Sequence, residues 1–479
     1  MKHGKSFLLL SLVAALAACS SYKSAENVRA QAEVNVPGEF NLEGRLLNGQ
    51  PVAAWWSQLD DDALKNLVQD ALTHNQDIRI AEASLREARA LLRNARLHQL
   101  PSVEADVAYA REKTSADLLQ PGAETIRDIY TAGFDASWEV DLFGRVRNQV
   151  RLGEAQVAAR AADVRAAHVS VAAEVVANYV MLRGNQYLLQ VAQDSVKNQQ
   201  ESLAFIQRLL EVGRGNQLDI ARAQGQLDLT RASIPPLQAQ VNEALNRLAV
   251  LTRRDARQLQ SELTEPRSLP SLPTTLAVGD PVQLLRRRPD IQYAEQALVG
   301  AVAEYNVHVA DLYPRVSIDG SLGYLSTEWS RLGEDPTETF IFSPRIHWAA
   351  FNLGRVHARI KAADARTQVR LTEFEQRVAL ALEETDNALQ HFSREEERRL
   401  RLRDAAHASA TAARLAQQKF QIGSSDFLSV LDAQREQLNI NAQLAQSETQ
   451  LLLNMVAIYK ALGGGWETYA GTAQLELSF

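Results

Sequence analysis

The stretch Tyr130-Thr131-Ala132-Gly133-Phe134-Asp135-Ala136-Ser137-Trp138-Glu139-Val140-Asp141-Leu142-Phe143-Gly144-Arg145-Val146 changes period partway along. Tyr130, Ala132, Phe134, Ala136, Trp138 and Val140 are apolar or aromatic. They alternate with Thr131, Gly133, Asp135, Ser137, Glu139 and Asp141, the period of a strand with one apolar and one wet face. Beyond Gly144 the period becomes helical. Leu152, Ala155, Ala159, Ala162, Ala166, Val169, Ala173, Val176 and Val180 step by three and four, which is a heptad seam. Val157, Ala161, Val164, Val171 and Val175 form a second seam, so this helix has a neighbour on each side. His168 falls on the second seam and reads as a packed side chain and not a ligand.

The same turn from strand to helix recurs about 210 residues on, far beyond the repeat length of a solenoid. Trp348 and Gly354-Arg355-Val356 match Trp138 and Gly144-Arg145-Val146. Asp77-Ile78-Arg79-Ile80-Ala81-Glu82 matches Asp290-Ile291-Gln292-Tyr293-Ala294-Glu295. Gly213 with Ala223-Gln224 matches Gly423 with Ala433-Gln434. Three blocks in one order indicate duplication. The reading is 62–252 as a first repeat and 282–462 as a second, each a helix, a β-hairpin (103–142 and 316–351) and a long helical hairpin (144–251 and 354–462). Residues 253–281, broken by Pro266, Pro270 and Pro273, join them.

In each hairpin, Val103, Ala105, Val107 and Tyr109, or Val316, Ile318, Leu322 and Tyr324, face one way. Glu104, Asp106 and Ala108, or Ser317, Asp319 and Ser321, face the other. The last strand sets Phe340, Phe342, Ile346 and Trp348 against Ser343, Arg345 and His347. Strands of this length and pattern suit a transmembrane barrel, but four cannot close one, and an open edge in lipid is forbidden. A symmetric oligomer is required; counting strands allows two, three or four copies. On the wet faces Glu104, Asp106, Asp135, Glu139, Asp141 and Asp319 outnumber Arg111, Arg345 and His347.

The helices after the strands run without a proline for about 65 residues, or about 97 Å. They turn at Val212-Gly213-Arg214-Gly215-Asn216 and Ile422-Gly423-Ser424-Ser425-Asp426, where Gly permits a left-handed cap and Asn216 or Asp426 caps the returning helix. Those returning helices span about 217–251 and 427–462, near half the length.

At the N-terminus Lys2 and Lys5 precede an apolar run from Phe7 to Ala17, too short to span a bilayer, so 1–18 reads as a signal peptide. Leu16-Ala17-Ala18-Cys19 resembles a lipoprotein box, with Cys19 acylated. Cys19 is the only cysteine of 479 residues, which excludes a disulfide framework. Net charge is −7 from 51 basic and 58 acidic residues, which argues against a nucleic-acid partner. No metalloprotease, P-loop or nucleophile-elbow motif occurs, so neither catalysis, cofactor nor metal is read here.

Asp-Ile-x-x-Ala-Glu, Ser137-Trp138-Glu139-Val140-Asp141-Leu142-Phe143-Gly144-Arg145 and Leu431-Asp432-Ala433-Gln434-Arg435 resemble the TolC-like outer-membrane factors. With Cys19, the likeness is to their lipoprotein, OprM/NodT-type efflux branch, over the whole mature chain. The resemblance implies a mainly α protein with transmembrane β, a homotrimer whose 12-strand β-barrel continues as a 12-helix periplasmic α-barrel. Residues 19–61, 253–281 and 463–479 would form an equatorial belt. It implies a passive efflux duct for small molecules, lipid-anchored in the outer membrane, with a periplasmic adaptor docking at the two tips and an inner-membrane pump of RND or ABC type. It also places Leu428, Asp432 and Arg435 at a periplasmic gate, with Arg222 as a cross-repeat partner. The alternatives are a type I protein-secretion duct, whose family members usually lack the lipid anchor, and a non-conducting coiled-coil lipoprotein.

Overall fold

The computed structural model describes residues 22–115, 117 and 124–468. Cys19, the segment 1–18, the Pro121-Gly122 turn and residues 469–479 of the tail lie outside the described residues. Contacts divide the chain into two units: Met1–Glu33, Ser84–Arg160 and Tyr293–Gln376 form one, and Val34–Ala83, Ala161–Gln292 and Arg377–Phe479 form the other.

The described strands are β1 (Leu46–Leu47), β2 (Ser102–Lys113), β3 (Ile126–Val140), β4 (Leu276–Ala277), β5 (Arg315–Ser326) and β6 (Glu338–His347). In the first unit β2, β3, β5 and β6 lie in that order in one antiparallel sheet. Glu104 stands opposite Asp135 and Ser321 lies beyond it, so the wet residues of all four strands share a face. Gly133 and Gly323 face each other where the backbones approach closely. A Cβ on Gly323 would lie 2.4 Å from the Ala132 carbonyl oxygen, which leaves no room for any other residue. Each hairpin is pinned to the loop before it by an indole: Trp138 Nε1 donates to the Gln99 carbonyl (3.0 Å) and Trp348 Nε1 to the Leu312 carbonyl (2.9 Å).

Both hairpins end sooner than their alternation suggests, at Val140 and His347. Asp141 is off the sheet. Its carboxylate accepts the backbone N–H groups of Val146 (3.1 Å) and Arg147 (2.9 Å), capping the helix Arg145–Glu211. Free N–H groups at a helix start attract an acid more strongly than the strand period holds it. Arg111 is also misplaced by the sequence reading. It stands opposite Asp128, on the face of Val107 and Tyr109 and not on the wet face.

The N-terminal segment is shared between the units. In the first, Val28 is buried against Leu298, Val302 and Leu371, the Tyr22 hydroxyl donates to the Phe143 carbonyl (2.5 Å), and Lys23 pairs with Asp364. In the second, Trp55 is fully buried and stacked on Tyr459, 5.1 Å between ring centres. The joining segment is less open than its prolines suggest. Asp255 caps a helix Ala256–Leu263, and β4 pairs in parallel with β1.

The long helices are Arg145–Glu211 and Leu353–Gln421, and each contributes to both units. Ala155, Ala159, Ala162, Val169, Ala173, Val176 and Val180 of the first seam and Val157, Ala161, Val164, Val171 and Val175 of the second are all buried. Two helices read as continuous are broken. Asp62–His74 and Gln76–Leu97 meet at Asn75, whose Oδ1 accepts from the Asp77 N–H and whose Nδ2 donates to the Leu251 carbonyl. Gln217–Ala232 and Ile234–Thr252 meet at Ser233, because Pro235 and Pro236 offer no N–H to the preceding turn. The second returning helix, Phe427–Ala461, has no such break. No helix among the described residues is long and apolar enough to cross a membrane.

Candidate functional site

The sheet carries two chemically distinct faces, both open in the single chain. On one, Val107, Phe134, Phe340, Phe342 and Ile346 are exposed, Phe340 to 74%. Tyr109 and Tyr130 pack 5.0 Å apart near its end distant from the helices, and Trp138 lies near the other. An apolar band between aromatic rows suits lipid. The opposite face carries Glu104, Asp106, Glu112, Asp135, Glu139 and Asp319 against Arg127, Arg315, Arg345 and His347. Sequence reading missed Glu112, Arg127 and Arg315, though their parity along the strands places them. Asp319 accepts from the Ser137 (2.8 Å) and Ser317 (3.1 Å) hydroxyls and lies 3.8 Å from Arg345. Glu112 is 3.3 Å from Arg127. Acid exceeds base on this face after the correction.

The tips are built by their glycines. Gly213 and Gly423 have φ of +73° and +75°, in the left-handed region. At the first tip the Gly213 N–H donates to Leu210 and the Arg214 N–H to Leu209. At the second, Gly423 donates to Phe420 and Ser424 to Lys419, which satisfies the last carbonyls of both long helices. Asn216 then accepts the Leu218 N–H (2.8 Å) and Asp426 the Ser429 N–H (3.1 Å). The Ser429 hydroxyl and that backbone N–H, with Arg222 nearby, hold the Asp426 carboxyl below the usual range. Val212 and Ile422 project at 69% and 79% exposure. Behind them Leu203, Ile206, Ala223, Leu227, Phe427, Val430 and Leu431 form a separate apolar cluster.

Phe427, Val430 and Leu431 take the buried side of the returning helix, so Leu428, Asp432 and Arg435 lie together on its exposed side. Arg435 Nη2 is 3.0 Å from Asp432 Oδ1. Arg222 is 3.9 Å from Asp219 on its own helix and is not paired with Asp432 within the chain. Gln434, between Asp432 and Arg435, turns inward and donates to the Ser202 hydroxyl (3.1 Å).

Among the described residues no group of three or more His, Cys, Asp or Glu could hold a metal. His168 is buried, its Nδ1 2.8 Å from the Val164 carbonyl, and burial lowers its pKa more than that carbonyl and Glu82 raise it. Arg288 was missed by sequence reading. It lines a cavity of about 510 Å³ with Glu384, His391 and Lys460.

A family description of outer membrane efflux proteins matches residues 67–252 and 281–464. The chain belongs to the outer membrane efflux protein family. It is accordingly an efflux component of the outer membrane, a transport protein and not an enzyme. Among curated members, the antibiotic efflux pump outer membrane protein ArpC of Pseudomonas putida is 29% identical over 88% of this chain and 87% of its own. The cation efflux system protein CusC of Escherichia coli K12 is 29% identical over 90% and 93%. The solved outer-membrane channel OprN is 38% identical, covers 91% of this chain and 99% of its own, and superposes with a TM-score of 0.85. The open state of the Neisseria gonorrhoeae outer-membrane channel MtrE gives 27% identity, 91% and 97% coverage and a TM-score of 0.80.

Proposed function

We propose that the chain is the outer-membrane duct of a tripartite efflux system, passing small molecules from an inner-membrane pump and a periplasmic adaptor to the exterior. The observation that carries the reading is the four-strand sheet with an apolar face and two unpaired edges, β2 and β6. Lipid tolerates no unpaired edge, so the sheet closes only with other copies of itself. Three copies give a 12-strand barrel with the wet faces inward. The duplicated halves each supply a hairpin and a helical hairpin, so the barrel continues as 12 helices into the periplasm, with 19–61, 253–281 and 463–479 as a belt. The exposed tips 212–216 and 422–426 dock the adaptor. Leu428, Asp432 and Arg435 form the gate, with Arg222 available across copies. Relatives named for antibiotic and cation efflux support small cargo.

Reconstitution into planar bilayers tests the duct. Six carboxylates face three arginines on each wet face. A lining of one sign concentrates counter-ions, so reversal potentials in a salt gradient are expected to show cation preference. Absence of conductance refutes the duct, and anion preference refutes the inward orientation of this face.

The lipid anchor at Cys19 supports the efflux branch over protein secretion. Cys19→Ser is expected to remove the acyl mass and block lipoprotein processing, while part of the protein stays membrane-bound through the barrel. An unmodified Cys19 in the wild-type intact mass rules the anchor out.

A further inference from the structure

The two bare edges of the sheet carry charges that match each other. On β2, Glu104, Asp106 and Lys113 are exposed and form no hydrogen bond or ion pair with described residues. On β6 the same holds for Glu338 and His347, and Arg345 reaches only to 3.8 Å from Asp319. Lys113 ends β2 at the far side of the sheet from the helices, and Glu338 begins β6 at that side.

The stagger within the sheet shows how a next copy would fit. The row of cross-strand neighbours through Glu338 passes Tyr324 and Ala132 and meets β2 at Val107, six residues short of Lys113. The far strand ends thus fall unevenly across one protomer: Ile126 is level with Lys113, Ser326 with Tyr109 and Glu338 with Val107. A second copy whose β2 ends level with β6, as β2 and β3 end level within the sheet, brings its Lys113 opposite Glu338.

We propose that β6 pairs antiparallel with β2 of the next copy in a single register, with Glu338 opposite Lys113, Arg345 opposite Asp106 and His347 opposite Glu104. This rests on the closed multi-chain barrel above and adds what fixes its closure. Counting along the two antiparallel strands from the first pair yields the other two, and all three join acid to base. Face parity agrees. Glu338 and Lys113 both lie on the apolar face, and the other two pairs on the wet face. The same register sets Phe342 against Tyr109 on the lipid side, an aromatic cross-strand pair.

Alternative registers match fewer of the unpaired edge charges. A one-residue slip sends every side chain to the wrong face. A two-residue slip one way carries Glu338 past the end of β2 and sets Arg345 against Ala108. A slip the other way keeps Arg345 against Glu104 and sets Glu338 against Arg111, but Arg111 already lies 3.7 Å from Asp128 on its own sheet, and Lys113 and His347 are left unmatched with Asp106 opposite Ser343. Only one register of copy on copy therefore matches all of the unpaired edge charges.

Paired cysteines test this in the full-length protein, whose only native cysteine is Cys19. Asp106→Cys with Arg345→Cys is expected to give a covalently linked ladder of chains on oxidation in isolated outer membranes. Glu104→Cys or Ala108→Cys with Arg345→Cys should link at least tenfold less. Preferential linkage in either slipped pair overturns the register. So does absence of linkage in all three where the native mass still shows an oligomer; a monomeric native mass instead removes the barrel on which the register rests. As a second arm, Arg345→Glu should lower the temperature at which the oligomer dissociates in detergent, and adding Asp106→Arg should restore it. A double variant no better than Arg345→Glu refutes the pairing.

Discussion

Alanine in place of Arg288 is expected to destabilise the folded chain by about 3 kcal/mol, near the lower end for breaking a buried ion pair. The guanidinium is 8% exposed and all three of its nitrogens are engaged. Nε and Nη2 meet the two oxygens of Asp290 at 3.0 and 2.8 Å, Nη2 meets Glu384 at 2.7 Å, and Nη1 donates to the Ala461 carbonyl at 2.9 Å. One side chain thus joins the start of the helix Pro289–Ala310 to the long helix and to the end of the returning helix. At the corresponding place in the first half, neutral Asn75 caps the start of its own helix and reaches only the Leu251 carbonyl beyond it. Lysine would not rescue Arg288, because a point charge cannot form the two-pronged contact with Asp290. Glu384 is 56% exposed and recovers water after the change, which keeps the loss moderate.

The loss has a pH signature. Burial works to raise the Asp290 carboxyl, but the Arg288 contact and nearby Arg377 outweigh it and hold the group below its ordinary value. A depressed folded pKa stabilises fully above the unfolded value of about 3.9, and that contribution is lost as pH falls through the folded value. Wild type should therefore lose more stability than Arg288→Ala on acidification from pH 6 to pH 3. Thermal melts followed by helical circular dichroism check both parts. An unchanged midpoint at neutral pH defeats the assignment.

Replacing both Asp432 and Arg435 by alanine is expected to raise single-channel conductance several-fold with the oligomer intact. Within one chain the pair is an exposed contact at i and i+3, worth about 0.3–0.5 kcal/mol, so its removal should leave the fold untouched. Its effect depends on copies meeting. In the proposed closed assembly, symmetry would bring one Leu428, Asp432 and Arg435 from each chain into a narrow opening, where carboxylates would repel unless arginines of neighbours intervene. The apolar cluster of Phe427, Val430 and Leu431 holds this helix from behind and is unaffected by the change. Conductance and open probability equal to wild type would reduce the two residues to a solvated surface pair.

Much of this architecture is legible from period alone. The alternation in 103–109, 130–140 and 316–324 needs no knowledge of partners, and every residue placed on a face there lies on it. Arg111 was legible too, since odd-numbered β2 residues share the apolar face, and parity should have outweighed its charge. The strand ends were not. Alternation runs on through Asp141 and Trp348, but helix capping takes the first and the turn into Leu353–Gln421 takes the second. The break at Ser233 was signalled by Pro235-Pro236. The break at Asn75 carries no proline or glycine and depends on the Leu251 carbonyl, 176 residues away. Arg288 is the same kind of case, with Glu384 and Ala461 lying 96 and 173 residues distant. The tips were readable because glycine and a capping acid or amide act within a few residues, whereas a gate depends on copies that no single chain contains.

Native mass spectrometry of the full-length protein in detergent tests the central claim, that this sheet closes only by self-association. A species of three chains without a stable monomer is expected, and a mass equal to one or two chains would contradict that closure.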